Sequence, residues 1–224
     1  MNRLRFGAFV FSSLFLVGCL STKTPSYSIV RQEEKLDYIV SKIEYPNFSD
    51  NKYTALNKEI KKCSVDTYQE FKNESIRMRK ALQMQAVSEY IVSTDEVSAE
   101  NNIVSVLLET SEFQGGAHPN KLLNSFNFDS YSQKFVKITD ITGMSLKEIS
   151  ALARKQLKAK LITGKNLTND EKLWLEQMID DGTEPQERNF STFLCKKNEV
   201  IIYFEPYSVA PYVYGTQTVS IQRR

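Results

Sequence analysis

The sequence predicts an α+β fold: an antiparallel sheet with a long N-terminal helix and two further helices packed on it. Three observations carry this. Apolar residues recur at helical spacing between residues 53 and 71, two capping boxes open later helices, and the other apolar runs are short, β-favouring and separated by turn residues. With 41% hydrophobic residues in 224, the chain has the apolar content of a packed core. The 29 basic and 27 acidic residues nearly balance and leave no concentrated positive footprint, so no nucleic-acid partner is expected. The single histidine, His118, excludes metal sites built on two or three imidazoles and leaves one candidate histidine base. No catalytic, cofactor-binding or metal-binding set is predicted.

The N-terminus reads as a lipoprotein signal peptide over 1–18. Arg3 and Arg5 precede a short apolar run from Gly7 to Val17, and Leu16-Val17-Gly18-Cys19 has the form of a lipobox. The run is shorter than the roughly 20 residues a membrane-spanning helix needs. Cleavage after Gly18 and lipidation (palmitate) of Cys19 are therefore expected, with the membrane as a partner through that lipid. Leu20 is not the aspartate that retains enteric lipoproteins at the inner membrane. The expected address is thus the bacterial cell envelope, on the outer membrane facing the periplasm or the cell surface.

Residues 19–26, rich in Ser, Thr and Pro, read as a tether, and a helix-and-strand module is expected over 27–100. Strands are predicted from Tyr27 to Arg31 and from Leu36 to Tyr45, the second closed by Pro46. A helix starts near Asp50, with Tyr53, Leu56, Ile60, Cys63, Thr67 and Phe71 on one face. A second α+β module is expected over 101–224. Strands at Ala86 to Thr94 and Ile103 to Thr110 form a meander, and Leu122 to Asp129 pairs with Phe135 to Thr139 across the turn at Ser130 to Lys134. Ser145 with Glu148 and Thr168 with Glu171 have capping-box spacing and open helices that run to Gly164 and Gly182. Strands close the chain at Phe190 to Cys195, Val200 to Glu205 and Thr216 to Gln222.

Two separated strings carry a resemblance: Phe113-Gln114-Gly115-Gly116-Ala117-His118-Pro119-Asn120, followed by Phe126-Asn127-Phe128-Asp129, and Phe204-Glu205-Pro206-Tyr207-Ser208-Val209-Ala210-Pro211-Tyr212 with Gly215. Over Ile103 to Ile221 the chain resembles the extracellular C-terminal domain of RsiV-type anti-sigma factors. Similar modules stand beside peptidoglycan deacetylase domains and occur in envelope lipoproteins. The resemblance implies an extracytoplasmic α+β module that binds rather than catalyses, since the best-known relative binds lysozyme. A lysozyme-like protein or peptidoglycan is the partner it suggests. The turn Ser130-Tyr131-Ser132-Gln133-Lys134 departs from the Thr-Gly-Lys type usual in relatives.

Several residues admit two readings. Gly115 and Gly116 either shape a turn or let a partner approach; His118 either makes structural hydrogen bonds or contacts a ligand. Tyr207 and Tyr212, among Pro206 and Pro211, either cover the open end of the sheet or form an interface. Asp180, Asp181 and Glu184 lie in an acidic stretch that would suit a cationic partner or simply a solvated loop. Cys63 and Cys195 are either a disulfide, which an oxidising envelope would maintain, or two separate buried thiols. A glycan-acting enzyme or accessory, and an assembly lipoprotein with no soluble ligand, remain the alternative functions.

Overall fold

In the computed structural model, residues 24–83 and 85–223 are described; the expected signal peptide, Cys19 and most of the tether lie outside them. The fold is α+β, and its antiparallel strands divide into two stacked sheets rather than one. The first has six strands in chain order: β1 (Tyr27–Lys35), β2 (Ile39–Phe48), β3 (Ser88–Glu100), β4 (Ile103–Phe113), β5 (Asn120–Asp129) and β6 (Lys134–Phe135). Its pairs are antiparallel except β2 with β3, which run parallel because the long helical segment between them returns the chain to the end where β2 began. Pro46 lies inside β2 instead of ending it. The pairing of β2 with β3 stops at Ile43, so the missing N–H of Pro46 falls where the strand has a neighbour on one side only.

The helical segment is α1 (Thr54–Lys61), a π-helical turn over Lys62–Asp66, and α2 (Thr67–Leu82). The extra residue of the π turn shifts the buried stripe by one position at Ser64 and Tyr68, after which Phe71 is buried as the spacing predicts. Tyr53, Leu56 and Ile60 are buried as the spacing predicts, but beyond the turn Ser64 and Tyr68 face the core where Cys63 and Thr67 were expected. Ser64 is tolerated there because its hydroxyl donates to the Ile60 carbonyl at 2.9 Å. The segment covers one face of the first sheet. Tyr90 and Val92 of β3, Val104, Val106 and Leu108 of β4 and Phe128 of β5 meet it in a core of alternate strand positions.

The opposite face of β4 and β5 meets the second sheet, β7 (Phe193–Cys195), β8 (Glu199–Phe204) and β9 (Gln217–Gln222), in the order β7-β8-β9. Leu107, Leu123, Leu194 and Tyr203 form the apolar seam. Side chains join the sheets where backbone pairing would otherwise have made one of them. Asn127 donates to the Phe193 carbonyl at 2.8 Å, the Phe193 N–H donates to the Ser125 hydroxyl at 2.9 Å, and the Cys195 N–H donates to the Ser105 hydroxyl at 3.1 Å. These bonds satisfy the outer edge of β7 and end the sheet there. The boundary expected at 100/101 falls in the β3–β4 turn, within the first sheet.

On its far side the second sheet packs against α4 (Leu146–Leu161) and α5 (Asn169–Gly182), which follow a short helix, α3 (Ile138–Thr142), where a strand was expected. Both predicted capping boxes are formed: Ser145 with Glu148 and Thr168 with Glu171. The layers therefore run helix, sheet, sheet, helices. Among the described residues no helix is long and apolar enough to cross a membrane.

This layering corrects the disulfide reading. Cys63 lies on the helical segment that covers the first sheet, whereas strand alternation turns Cys195 with Phe193 toward α4 and α5. Both sheets stand between the two thiols, and stacked sheets lie about 10 Å apart, beyond the roughly 7 Å Cα separation a disulfide permits. Both cysteines are free.

Candidate functional site

The two strings singled out in the sequence converge in space. The β4–β5 turn carries Gly115 and Gly116 at φ of 92° and 135°, conformations that an L side chain resists. It delivers His118 to the segment after β8. There the His118 ring stacks on Tyr212, with centroids 3.6 Å apart and planes inclined by 17°, and Tyr207 stands 5.7 Å from Tyr212. His118 Nδ1 donates to the Pro119 carbonyl at 2.9 Å, and its Nε2 lies 3.3 Å from the Tyr207 hydroxyl. The Tyr212 hydroxyl donates to the same Pro119 carbonyl at 3.2 Å.

Beneath this group the chain is anchored. Val209 and Ala210 are buried in the second core, and the Tyr207 N–H donates to the Ala210 carbonyl at 2.9 Å. That turn holds Tyr207 at φ 72°, a left-handed conformation rare for an aromatic residue and maintained by its surroundings. Its ring is 56% exposed, His118 is exposed, and neighbouring Val213 is 86% exposed. Tyr207 thus faces solvent, while Tyr212 is half-buried against the His118 ring. Together the three rings form a pre-ordered aromatic platform at the surface.

Gly182 makes the anchoring possible. A Cβ there would stand 2.0 Å from the Ser208 carbonyl oxygen and 2.7 Å from Val209 Cγ1. The sequence reading treats Gly182 as a helix end, which it is; its second role, allowing α5 to meet the platform turn, leaves no mark in sequence.

The acidic stretch is less open than expected. Arg154 and Lys158 of α4 each reach Asp180 Oδ1 at 2.9 Å and so clamp α5 to α4. Asp181 accepts from the Gln177 amide and Glu184 from the Gln186 amide, and both remain exposed beside the end of α5.

One element escaped sequence reasoning. A cleft of about 390 Å³ opens between β5 and the segments flanking the second sheet, lined by Asn124, Arg188, Asn189, Thr192, Glu205 and Ser208 among others. Glu205 Oε1 accepts the Leu123 N–H, and burial pushes the Glu205 carboxyl above its ordinary value despite that bond. A second groove, of about 340 Å³, runs beside the π turn with Cys63 in its wall. Burial and the nearby Glu59 push the Cys63 thiol up to about 11, so it is protonated and a poor nucleophile near neutral pH.

Two family models match the chain in succession. Residues 139–224 match the family model described as a protein of unknown function (DUF3298), and residues 32–121 match the model described as deacetylase PdaC. The peptidoglycan-N-acetylmuramic acid deacetylase PdaC of Bacillus subtilis is 25% identical over 206 residues, 88% of this chain and 39% of the relative. The chain thus spans about two fifths of that protein's length. Among solved structures, a DUF3298 family protein from Pseudomonas aeruginosa aligns with a TM-score of 0.60 at 16% identity, covering 90% of this chain and 91% of that one. A DUF3298 family member from Bacteroides fragilis aligns with a TM-score of 0.57 at 18% identity, covering 89% and 92%. Both share the fold. The chain therefore joins a segment similar to PdaC to a following segment similar to the DUF3298 family.

Proposed function

We propose that this chain is a bacterial envelope lipoprotein, anchored through lipid on Cys19, whose second module binds a cell-wall-related partner without performing chemistry on it. The observation that carries the reading is the His118–Tyr207–Tyr212 platform. His118 and Tyr207 are exposed and Tyr212 is half-buried, yet stacking, two bonds to one carbonyl and a buried footing order the three rings in advance. An interface of this kind loses little side-chain freedom on binding, and tyrosine is over-represented among residues that dominate binding energy. Similarity to a protein named as a peptidoglycan deacetylase supports a cell-wall setting, and the short apolar run before Cys19 supports lipid attachment.

The partner is a lysozyme-like protein, as the RsiV-type resemblance implies, or peptidoglycan itself. Asp181 and Glu184, exposed near the platform turn, favour the cationic protein. Titration with c-type lysozyme and sedimentation with purified peptidoglycan test the two. Tyr212→Ala should weaken the binding seen by about 2 kcal/mol, roughly 30-fold. Failure of both partners to bind at low salt overturns the reading. For the anchor, Cys19→Ala should abolish palmitate labelling and release the protein from membranes; retained labelling overturns that part.

A further inference from the structure

We propose that the cleft between β5 and the turn after β8 is a sugar subsite that takes an N-acetylated amino sugar of an oligosaccharide, with Glu205 and Arg188 as its polar contacts. The inference rests on the reading that the second module meets the cell wall, and it names the glycan chemistry recognised there.

The first argument is charge. Among the described residues of the cleft wall Glu205 is the one carboxylate and Arg188 the one cation, so that wall is close to neutral and suits an uncharged ligand. The second is unused hydrogen-bonding capacity. Arg188, Asn124 and Ser208 have no side-chain partner among the described residues, and Glu205 uses only Oε1, on the Leu123 N–H. The free oxygen of Glu205 can accept from an acetamide N–H, Arg188 and Asn124 can donate to an acetamide carbonyl, and Ser208 can exchange bonds with a hydroxyl. Half-burial, which raises the Glu205 carboxyl, also removes competing water from such bonds.

The third argument is continuity. Glu205 and Ser208 flank Tyr207, and Leu123 and Asn124 lie on the strand that follows His118 and Pro119, so cleft and platform are built on the same two segments. Tyr203 adds an aromatic ring to the cleft wall. Rings that stack on the apolar faces of a sugar, beside amides and carboxyls that bond its edges, are complementary to an oligosaccharide longer than one residue. At about 390 Å³ the cleft falls in the lower part of the roughly 300–1,000 Å³ range of small-ligand sites. A single carboxylate fits binding and not cleavage, since glycoside hydrolysis ordinarily needs two, about 5 to 9.5 Å apart.

The test is calorimetric titration of the full chain in detergent with a tetramer of N-acetylglucosamine and, as control, a tetramer of glucose. The acetylated tetramer should bind, the glucose tetramer at least tenfold more weakly. Arg188→Ala and Glu205→Gln should each cost tenfold or more while neither lowers the thermal midpoint. No binding of the acetylated tetramer at millimolar concentration, equal binding of both tetramers, or full binding by Arg188→Ala overturns the inference. Lysozyme and peptidoglycan measurements on the same samples separate the two proposals. If the wild type holds either partner but not the tetramer, the cleft fails and the platform stands. If Tyr212→Ala keeps both partners while Arg188→Ala loses the tetramer, the platform fails and the cleft stands.

Discussion

The two cores of this molecule use aromatic residues in opposite ways. Beneath the N-terminal helices they are mostly interior: buried Phe48, Tyr53 and Phe128 follow one another at centroid distances of 5.1 and 6.3 Å, with exposed Tyr27 and Phe135 packed at the two ends of the row, and Tyr90 sits between Tyr68 and Phe71 at 5.3 and 5.1 Å. The second core is mostly aliphatic, and its module carries exposed Tyr207 and Tyr214 and half-buried Tyr212 on a segment whose buried residues are Val209 and Ala210. A ring in the first body fills volume that nothing else can fill. The exposed Tyr207 ring on the second can be removed without opening a cavity, so its removal probes the proposed partner contact and not the core.

Substitutions test that contrast directly. The largest effect belongs to Tyr90→Ala, which empties a fully buried site and should lower stability by about 4 kcal/mol in urea unfolding. Partner binding by the folded fraction should persist, because Tyr90 faces the helical core and not the platform. A cost under about 1 kcal/mol would end the claim that the aromatic core carries the first body. Next comes Gly182→Ala. The new methyl meets backbone at the platform turn, so α5 and the turn must separate, at a cost of about 3 kcal/mol. Unlike Tyr90→Ala, it should weaken partner binding along with stability, since it moves the footing of Tyr207 and Tyr212. The third, Tyr212→Ala, removes a half-buried ring that stacks on His118 and should cost about 1 kcal/mol in unfolding while reducing binding as proposed above. A large loss of stability here would mean the two regions use their rings alike.

What the sequence disclosed of this arrangement depended on the range of the interactions involved. Capping boxes at Ser145 and Thr168 are contacts three residues long, and both were legible to the residue. The stripe through Tyr53, Leu56 and Ile60 was legible too, until one inserted residue in the π turn moved the buried face from Thr67 to Tyr68; a period carries no sign of where it will slip. The parallel pairing of β2 with β3 and the split into two sheets depend on contacts between residues tens of positions apart. Ser125 and Asn127 read as ordinary strand positions, and only the fold shows that they bond to β7. The platform residues were found because two strings drew attention to them. Glu205 stood in one of those strings but had no visible role, since the cleft it lines exists only once β5 and the second sheet are stacked.

Glu205 gives the smallest effect and a test of how the two regions treat carboxylates. In the first body Glu34 is held below its ordinary value, chiefly by the Lys72 ammonium and by the Tyr68 hydroxyl that donates to it. Such a group favours the folded state above the unfolded value of 4.5, and that contribution is lost as pH falls through its folded value. It is a surface pair, so the effect is slight. Glu205 has the opposite sign. Burial raises it, so the folded chain holds the proton more tightly than the unfolded chain does. Stability should therefore fall as pH rises from 4.5 toward the folded value and level off above it, because over that window the folded state binds more protons. Glu205→Gln keeps an oxygen for the Leu123 N–H but cannot ionise, and should remove this fall. Urea midpoints from pH 4 to pH 8 would show wild type and variant nearly parallel at the acid end and diverging above it, with the variant the more stable. If the variant declines as steeply as the wild type, the buried carboxyl is not what the pH dependence reports, and Glu112, raised by burial in the first body, is the next group to replace.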